Sequence, residues 1–371
     1  MSGILHIVPG VKELNSGITV AVRLMSTSKD SICDAREVNA YLRGCEAQEV
    51  WVHSVWLPSV WKACLLAKKY GKHLVRMPHG NLDPVRLKYH WLRKWLVGPI
   101  ERYFLRKADK IVATCDAEKE WIEAYLGKKC PEIVVEDVKR FFDFSRKERI
   151  GRVEERENSV SRVERVEGDE SVFNAEAQRR RGAENDELHL LYLGRRHPLK
   201  GVEYLESAVK EISTRSTRST RLKIELKIVS NAFGEELEKV WEWCDVLVLP
   251  TLSENFGLVV AEALERGKRV ITTDGAPVWE SLAVSGQRLA VRGQELGISG
   301  DGCGIGVGCG GRLLYLKGFR DGSDEKRVEL LKKAILFLAA KNAKSAKDYL
   351  KWAVPEKSLP KIYTILHVLH G

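Results

Sequence analysis

Two blocks of short apolar runs alternating with helical-period segments, separated by a charged stretch, constrain this chain more than any single motif. In the first block Ile4–Val8, Val50–His53, His73–Met77 and Lys110–Thr114 read as strands. Ile18–Met25, Val60–Tyr70 and Glu118–Leu126 carry apolar residues at helical spacing. In the second block the strands are Leu188–Leu193, Leu222–Val229, Val246–Pro250 and Arg269–Thr273, and the helices are Gly201–Ile212, Glu235–Trp243 and Gly257–Glu265. Such alternation predicts parallel sheets covered by helices on both faces. Residues 146–187 hold few large apolar side chains and many charges, as in Arg152–Glu157 and Gln178–Arg181, and cannot bury enough surface to offset their chain entropy. The expected organisation is an N-terminal α/β domain over 1–145, a charged, disordered linker over 146–187, and a C-terminal α/β domain over 188–371. That last domain ends in helical sequence from about Glu325 to Leu369, broken at Pro355. A Ser-Thr-Arg repeat at Ser213–Arg221 reads as a second low-complexity insertion in a surface loop. The functional cleft is expected between the two domains.

Composition narrows the function classes. At 371 residues and 44% hydrophobic the chain can fill two cores, and its net charge of +10 favours anionic partners. No apolar run approaches the roughly 20 residues that span a bilayer. The first ten residues lack a charged region followed by an apolar stretch, so no signal peptide is expected. The eight cysteines form no C-x-x-C pair and read as free thiols of a reducing cytosol, with Cys303 and Cys309 matching no zinc spacing.

Chemistry concentrates at two βα loops of the second block. Glu254 lies just beyond the strand ending near Pro250, and Glu262 lies about two turns into the next helix. The N–H groups of Phe256, Gly257 and Leu258 are expected as unpaired donors at that helix start, suited to hydroxyl or phosphate oxygens. Gly257 would let a ligand approach the backbone closely. The bland alternative is a helix-terminal carboxylate and a solvated glutamate. The other loop places Gly194-Arg195 after one strand and Lys200-Gly201 before the next helix, two cations able to neutralise a diphosphate or merely a basic surface turn. With no D-x-D triplet in the chain, a carboxylate-held metal has no obvious ligands, and the positive field falls to these cations and the helix start.

Together, Gly194-Arg195-x4-Lys200-Gly201 and Ser253-Glu254-Asn255-Phe256-Gly257-x4-Glu262-Ala263 resemble the signature of the retaining glycosyltransferase family four. Its hallmark is two glutamates separated by seven residues. The run from Cys244-Asp245 to Gly267, and Val270-Ile271 to Gly275-Ala276-Pro277, extends the likeness. The resemblance implies the GT-B fold, two Rossmann-like α/β domains facing across a cleft. It also implies transfer of a sugar from a nucleoside diphosphate sugar to a glycan or lipid-linked acceptor with retention, metal-free and without a cofactor, in cell-envelope polysaccharide or lipopolysaccharide synthesis. By the same resemblance Arg195 and Lys200 bind the diphosphate, Glu254 sits by the transferred sugar and Glu262 holds ribose hydroxyls. Asn255, Phe256, Gly257 and Leu258 complete the donor loop. In the first block, Ser16-Gly17 matches the family's glycine-rich turn near the phosphates. His79-Gly80 matches its His-Gly beside the reacting carbon. His53 matches a further family histidine, equally readable as a buried structural one, while Ala108-Asp109-Lys110 and Glu118 match a pattern read as structural. The chain departs from the family at Val135-Glu136-Asp137, where Pro-Asn-Gly is usual, and in the short stretch between Leu222 and Trp243. These departures motivate the rival reading, a degenerate, non-catalytic module that binds a glycan, a nucleotide or a protein.

Gly306-Val307-Gly308-Cys309-Gly310-Gly311 satisfies G-x-G-x-x-G, yet no strand precedes it and Arg312–Leu316 looks like a strand, so it reads as a flexible loop and a nicotinamide cofactor is not expected. Residues 85–110 mix Trp91, Trp95, Tyr103 and Phe104 with Arg86, Lys88, Arg93, Lys94, Arg102, Arg106 and Lys107. This patch suits peripheral contact with an anionic membrane, or else a core-facing helix with solvated cations. No nucleic-acid-binding module surrounds it. The expected location is the cytoplasm, with peripheral attachment at the inner face of the plasma membrane.

Overall fold

The computed structural model describes residues 3–10, 17–44, 46–136, 187–215, 223–230, 232–285, 304–309 and 312–342. The first sheet is built from β1 (Ile4–Val8), β2 (Ser31–Asp34), β3 (Glu49–His53), β4 (His73–Met77), β5 (Lys110–Ala113) and β6 (Glu132–Val135), all parallel, in the order β2-β1-β3-β4-β5-β6. Its helices are α1 (Gly17–Met25), α2 (Val38–Gly44), α3 (Pro58–Lys69), α4 (Pro84–Lys88), α5 (Trp91–Arg106) and α6 (Asp116–Leu126). The second sheet contains β7 (Glu187–Leu193), β8 (Lys223–Val229), β9 (Val246–Leu249), β10 (Arg269–Thr273), β11 (Gly304–Gly308) and β12 (Leu313–Lys317), ordered β11-β12-β10-β9-β7-β8. Only the β11–β12 pairing in it is antiparallel. With it go α7 (Val202–Arg215), α8 (Gly234–Trp243), α9 (Leu258–Glu265), α10 (Glu280–Ser285) and α11 (Asp324–Asn342).

The central strands are wholly apolar because both faces are covered: Val246–Leu249 is buried at every position. In α11, Leu330, Leu331, Ala334, Ile335, Phe337 and Leu338 repeat on one helical face and are buried. One core cluster fills the first sheet; the other fills the second and also takes in Trp51, Val75, Met77 and Val112 of the first.

Each sheet reverses its strand order once, between β1 and β3 in the first and between β7 and β9 in the second. At such a switch point the connections leave on opposite faces and open a crevice at the carboxyl ends of the strands. The expected site loops, Gly194–Lys200 after β7 and Thr251–Phe256 after β9, border the second crevice.

Two expectations need correction. Glu187, assigned to the linker, opens β7 and pairs with Lys223 of β8; the remainder of 146–187 lies outside the described residues, as do the end of the Ser-Thr-Arg repeat and the tail beyond Asn342, Pro355 included. Of the run Gly306–Gly311 read as a loop, residues 306–308 belong to β11, while Gly310 and Gly311 lie outside the described residues. The glycines of β11 answer a close neighbour: a Cβ on Gly308 would stand 2.1 Å from the Leu282 carbonyl oxygen of α10, and one on Gly306 3.4 Å from the Ala283 side chain.

Candidate functional site

The first wall of the site is the loop leaving β7. Pro198–Lys200 forms one 3₁₀ turn that ends at Gly201 with φ +60°. No other residue fits there, because a Cβ would lie 2.2 Å from the Pro250 carbonyl oxygen. The turn is tied to the neighbouring loop by the Leu252 N–H (2.8 Å) and the Thr251 hydroxyl (3.0 Å), both donating to the Leu199 carbonyl. This docking brings Lys200 onto Glu254, and its ammonium pairs with the carboxylate. Burial, followed by the Arg86 and Arg195 charges, pushes the Lys200 ammonium down to about 7, while the pairing with Glu254 works the other way. Arg195 is exposed, and its guanidinium makes no hydrogen bond or ion pair among the described residues. The adjacent Arg196 is already committed, to Glu206 at 2.6 Å.

The second wall is the β9–α9 loop. The Glu254 N–H donates to the Gly275 carbonyl (2.7 Å), an approach possible only because residue 275 lacks a Cβ. Gly257 has φ +68° and caps α9; a Cβ there would meet Leu249 at 3.1 Å and Glu254 at 3.4 Å. Its lack of a side chain is required by this backbone conformation and packing. The Gly257 and Leu258 N–H groups donate to nothing among the described residues, leaving two donors at the helix start. The Phe256 ring is buried against Trp279, 5.1 Å between centroids, so its side chain is a core element. The Asn255 side chain links the two sheets: its Oδ1 lies 3.0 Å from the Thr114 hydroxyl. The carboxylate of Glu262, half-buried on α9, makes no hydrogen bond or ion pair among the described residues, and burial raises its pKa.

The third wall comes from the first sheet. His79 (φ +56°) and Gly80 (φ +67°) follow β4, and a Cβ on Gly80 would meet the Asn255 Cβ at 3.0 Å. Glu118, read from sequence as structural, fixes this turn from beneath. Fully buried, it accepts from the Gly80 N–H (2.5 Å), the Thr114 N–H (2.8 Å) and the Thr114 hydroxyl (2.6 Å). Behind His79 stands a chain of imidazoles: His79 Nε2 lies 2.8 Å from His53 Nδ1, and His53 Nε2 lies 3.0 Å from His6 Nδ1. Burial depresses all three, His6 to about 4, His79 to about 3 and His53 well below its usual value, so each is neutral at pH 7. His53 is thus both the buried histidine and the neighbour of the candidate site.

Three site residues were missed. Asp83 caps α4 through the Val85 N–H (2.8 Å) and crosses to the other sheet, where it meets Arg320 at 2.5 Å and the Ser253 hydroxyl. Arg86, counted from sequence with the membrane patch, turns into the cleft. It donates to Ser253 Oγ (2.9 Å) and stands 4.0 Å from Glu254. The Asp83-Pro84 pair is a legible helix start; nothing local marks Arg86 or Arg320.

Away from the cleft, α5 buries Gly98, Glu101, Phe104 and Leu105 yet exposes a second apolar stripe of Trp91 (64%), Leu92, Trp95 (69%), Leu96, Ile100 and Tyr103. Phe104 and Arg86 thus leave the expected patch, and Arg102 stacks on Tyr125. No described helix is long and apolar enough to cross a membrane. Gly17 opens α1 with open space around it. Cys33, Cys64, Cys115, Cys130, Cys244 and Cys309 are free thiols. One group among the described residues has metal-ligand spacing, Glu187, His189 and Glu225 on β7 and β8. It is tied up with Lys223 and Asp245, well before the loop that carries Arg195.

Comparison with known proteins agrees with this geometry. Residues 21–135 match the family described as Glycosyltransferase Family 4, and residues 187–292 match Glycosyl transferases group 1, one on each sheet. An uncharacterized glycosyltransferase of Methanocaldococcus jannaschii is 30% identical over 111 residues, which is 25% of this chain and 28% of that protein's length. The fold resembles the sucrose-phosphate synthase of Thermosynechococcus elongatus (TM-score 0.54, 12% identity, 99% of this chain and 100% of that one). It also resembles the Escherichia coli trehalose-6-phosphate structure bound with UDP-2-fluoro glucose (TM-score 0.54, 8% identity, 99% and 98%). With a family match on each sheet, and two parallel-rich α/β sheets joined where the segments after β4 and β5 meet the loop after β9, the chain belongs to the family-four glycosyltransferases and has their two-domain GT-B fold.

Proposed function

We propose that the chain transfers a sugar from a nucleoside diphosphate sugar to a hydroxyl of a glycan or lipid-linked acceptor, with retention and without a bound metal, in envelope polysaccharide or lipopolysaccharide assembly. The observation that carries this reading is the convergence, at one switch point beside Glu254, of Lys200, Arg195 and the Gly257 and Leu258 N–H groups, the last three without a hydrogen-bond partner among the described residues. Cations and a helix start stabilise a departing diphosphate as its charge develops. A half-buried carboxylate with no hydrogen-bond partner among the described residues, Glu262, suits the donor hydroxyls of a ribose. Glu254 holds the transferred sugar, with His79 bordering it from the other sheet. Gly17 approaches the phosphates from the opening of α1. The 1–145 and 188–371 units act as acceptor-side and donor-side domains, and the contacts between them exclude water from the donor.

Titration of the protein with UDP, GDP and ADP tests this reading. One nucleotide binds, and Arg195→Ala weakens it by about tenfold, the loss of one charge-assisted bond. Equal, millimolar affinity for all three, untouched by the substitution, contradicts it.

The exposed stripe of α5, flanked by Lys88, Arg93 and Lys107, supports peripheral docking on an anionic bilayer, with the chain on the cytoplasmic face. Co-sedimentation with vesicles holding anionic lipid, lost in Trp91→Ser/Trp95→Ser, checks this; equal recovery with neutral vesicles, or no loss in the variant, rules it out.

A further inference from the structure

The imidazole chain behind His79 is longer than holding one side chain in place requires. It runs from β1 through β3 to the turn after β4, across the switch point of the first sheet. Each neutral imidazole carries a single N–H, so the three tautomers are linked: once one proton is placed, hydrogen bonding fixes the other two. Two ladders exist. In one, every N–H points from His6 toward His79, and Nδ1 of His79 is a donor. In the other, every N–H points from His79 toward His6, and that Nδ1 is a lone pair. Nδ1 of His79 makes no hydrogen bond among the described residues, so it is the nitrogen left for a ligand.

The surroundings choose between the ladders. The carboxylates of Asp30 and Glu49 act on the ring at the His6 end and favour positive charge there. Burial above all keeps the middle ring, His53, neutral, and the His79, His6 and Arg76 charges add to this in the same direction. The ladder directed toward His6 turns its positive end to the two carboxylates. His6 Nδ1 then accepts from His53 Nε2–H, and His53 Nδ1 accepts from His79 Nε2–H.

We propose that His6 and His53 are positioning residues that hold His79 as the Nε2–H tautomer, so that its Nδ1 lone pair faces the cleft as an acceptor for a hydroxyl of the donor sugar. The identity of the ligand rests on the nucleotide-sugar reading; the tautomer does not, and its test is independent of turnover. In protein carrying ¹⁵N-labelled histidine, assigned by single substitutions, two-bond ¹H–¹⁵N spectra at neutral pH distinguish protonated from unprotonated ring nitrogens. The expected result is an unprotonated Nδ1 and a protonated Nε2 on His79, retained in His6→Asn, whose carboxamide oxygen can accept in place of Nδ1. In His6→Leu the His79 signals move toward a tautomer mixture. A protonated Nδ1 in the unsubstituted protein, or a His79 pattern that His6→Leu leaves unchanged, overturns the proposal. With a donor that turns over, His6→Leu raises KM or lowers kcat by about fivefold to tenfold, the value of one misdirected hydrogen bond. His6→Asn stays within about twofold; equal losses in the two variants also overturn it.

Discussion

The contact between Asp83 and Arg320 joins residues 237 positions apart and is the most exacting test of how the two sheets are held together. Asp83 is 1% exposed and Arg320 13%, with 2.5 Å between them, so neither is well solvated when paired. Replacing Asp83 by alanine removes the guanidinium's paired carboxylate and leaves it over the Trp121 ring at 5.0 Å, with the Asp274 carboxylate acting on it only electrostatically. Breaking such a pair from one side costs about 3–5 kcal/mol. Loss of the α4 cap adds about 1 kcal/mol. Because the contact bridges the sheets, the loss falls first on the closed arrangement: about 3 kcal/mol is enough to turn a closed state favoured a hundredfold into a minority. A double-substitution cycle separates the bridge from the cap. Asp83→Ala and Arg320→Leu each lower the urea midpoint, while the double variant costs about 2 kcal/mol less than their sum. Small-angle scattering of Asp83→Ala shows a larger radius of gyration. Additive losses within about 0.5 kcal/mol, or unchanged scattering, refute the reasoning.

Other predictions follow from single positions. For Lys200, pushed from 10.5 down to about 7, the unfolded chain holds a proton the folded one has released between those values, so its contribution to stability rises with pH across that window. A diphosphate must draw that proton back, so nucleotide affinity measured by calorimetry falls as pH climbs above about 7, with proton uptake on binding; Lys200→Arg flattens the profile. Gly201→Ala forces a Cβ against the Pro250 carbonyl at φ +60° and costs about 2–4 kcal/mol by chemical denaturation, with weakened nucleotide binding. Glu101, wholly buried, pairs with Arg76 at 2.9 Å and accepts from the Trp56 N–H and the Trp61 indole, so Glu101→Ala lowers stability by about 3–5 kcal/mol while Glu101→Gln costs less.

Sequence showed the sheets wherever strands were long and apolar, as at Ile4–Val8 and Val246–Leu249, because a strand buried on both faces must be written in apolar residues. It did not show β2, α2 or β6. These are short: Ser31–Asp34 and Glu132–Val135 are edge strands of 4 residues, too brief for a periodic pattern to stand out from the flanking chain. It misread β11, since the glycines at 306 and 308 answer a helix more than twenty residues earlier. Arg195, Lys200 and Glu254 were legible because they lie on βα loops of neighbouring strands at fixed spacing. Arg86, Asp83 and Arg320 were not, since their partners stand 167 to 237 residues away and only the meeting of the two sheets gives them a role. His6 shows the same limit: within a strand it reads as one polar residue among apolar ones, and its meaning appears only when β1 and β3 pair in parallel.

The most direct test of the central claim is acceptor-dependent release of a nucleoside diphosphate, assayed across uridine-, guanosine- and adenosine-diphosphate sugars with a lipid-linked or glycan acceptor, with Glu254→Ala and Lys200→Ala alongside. The account predicts turnover with one donor, a product of unchanged anomeric configuration by NMR, and loss of turnover in both variants. Tight binding of a donor by the intact protein with no turnover on any acceptor, or turnover that survives both substitutions, would contradict it.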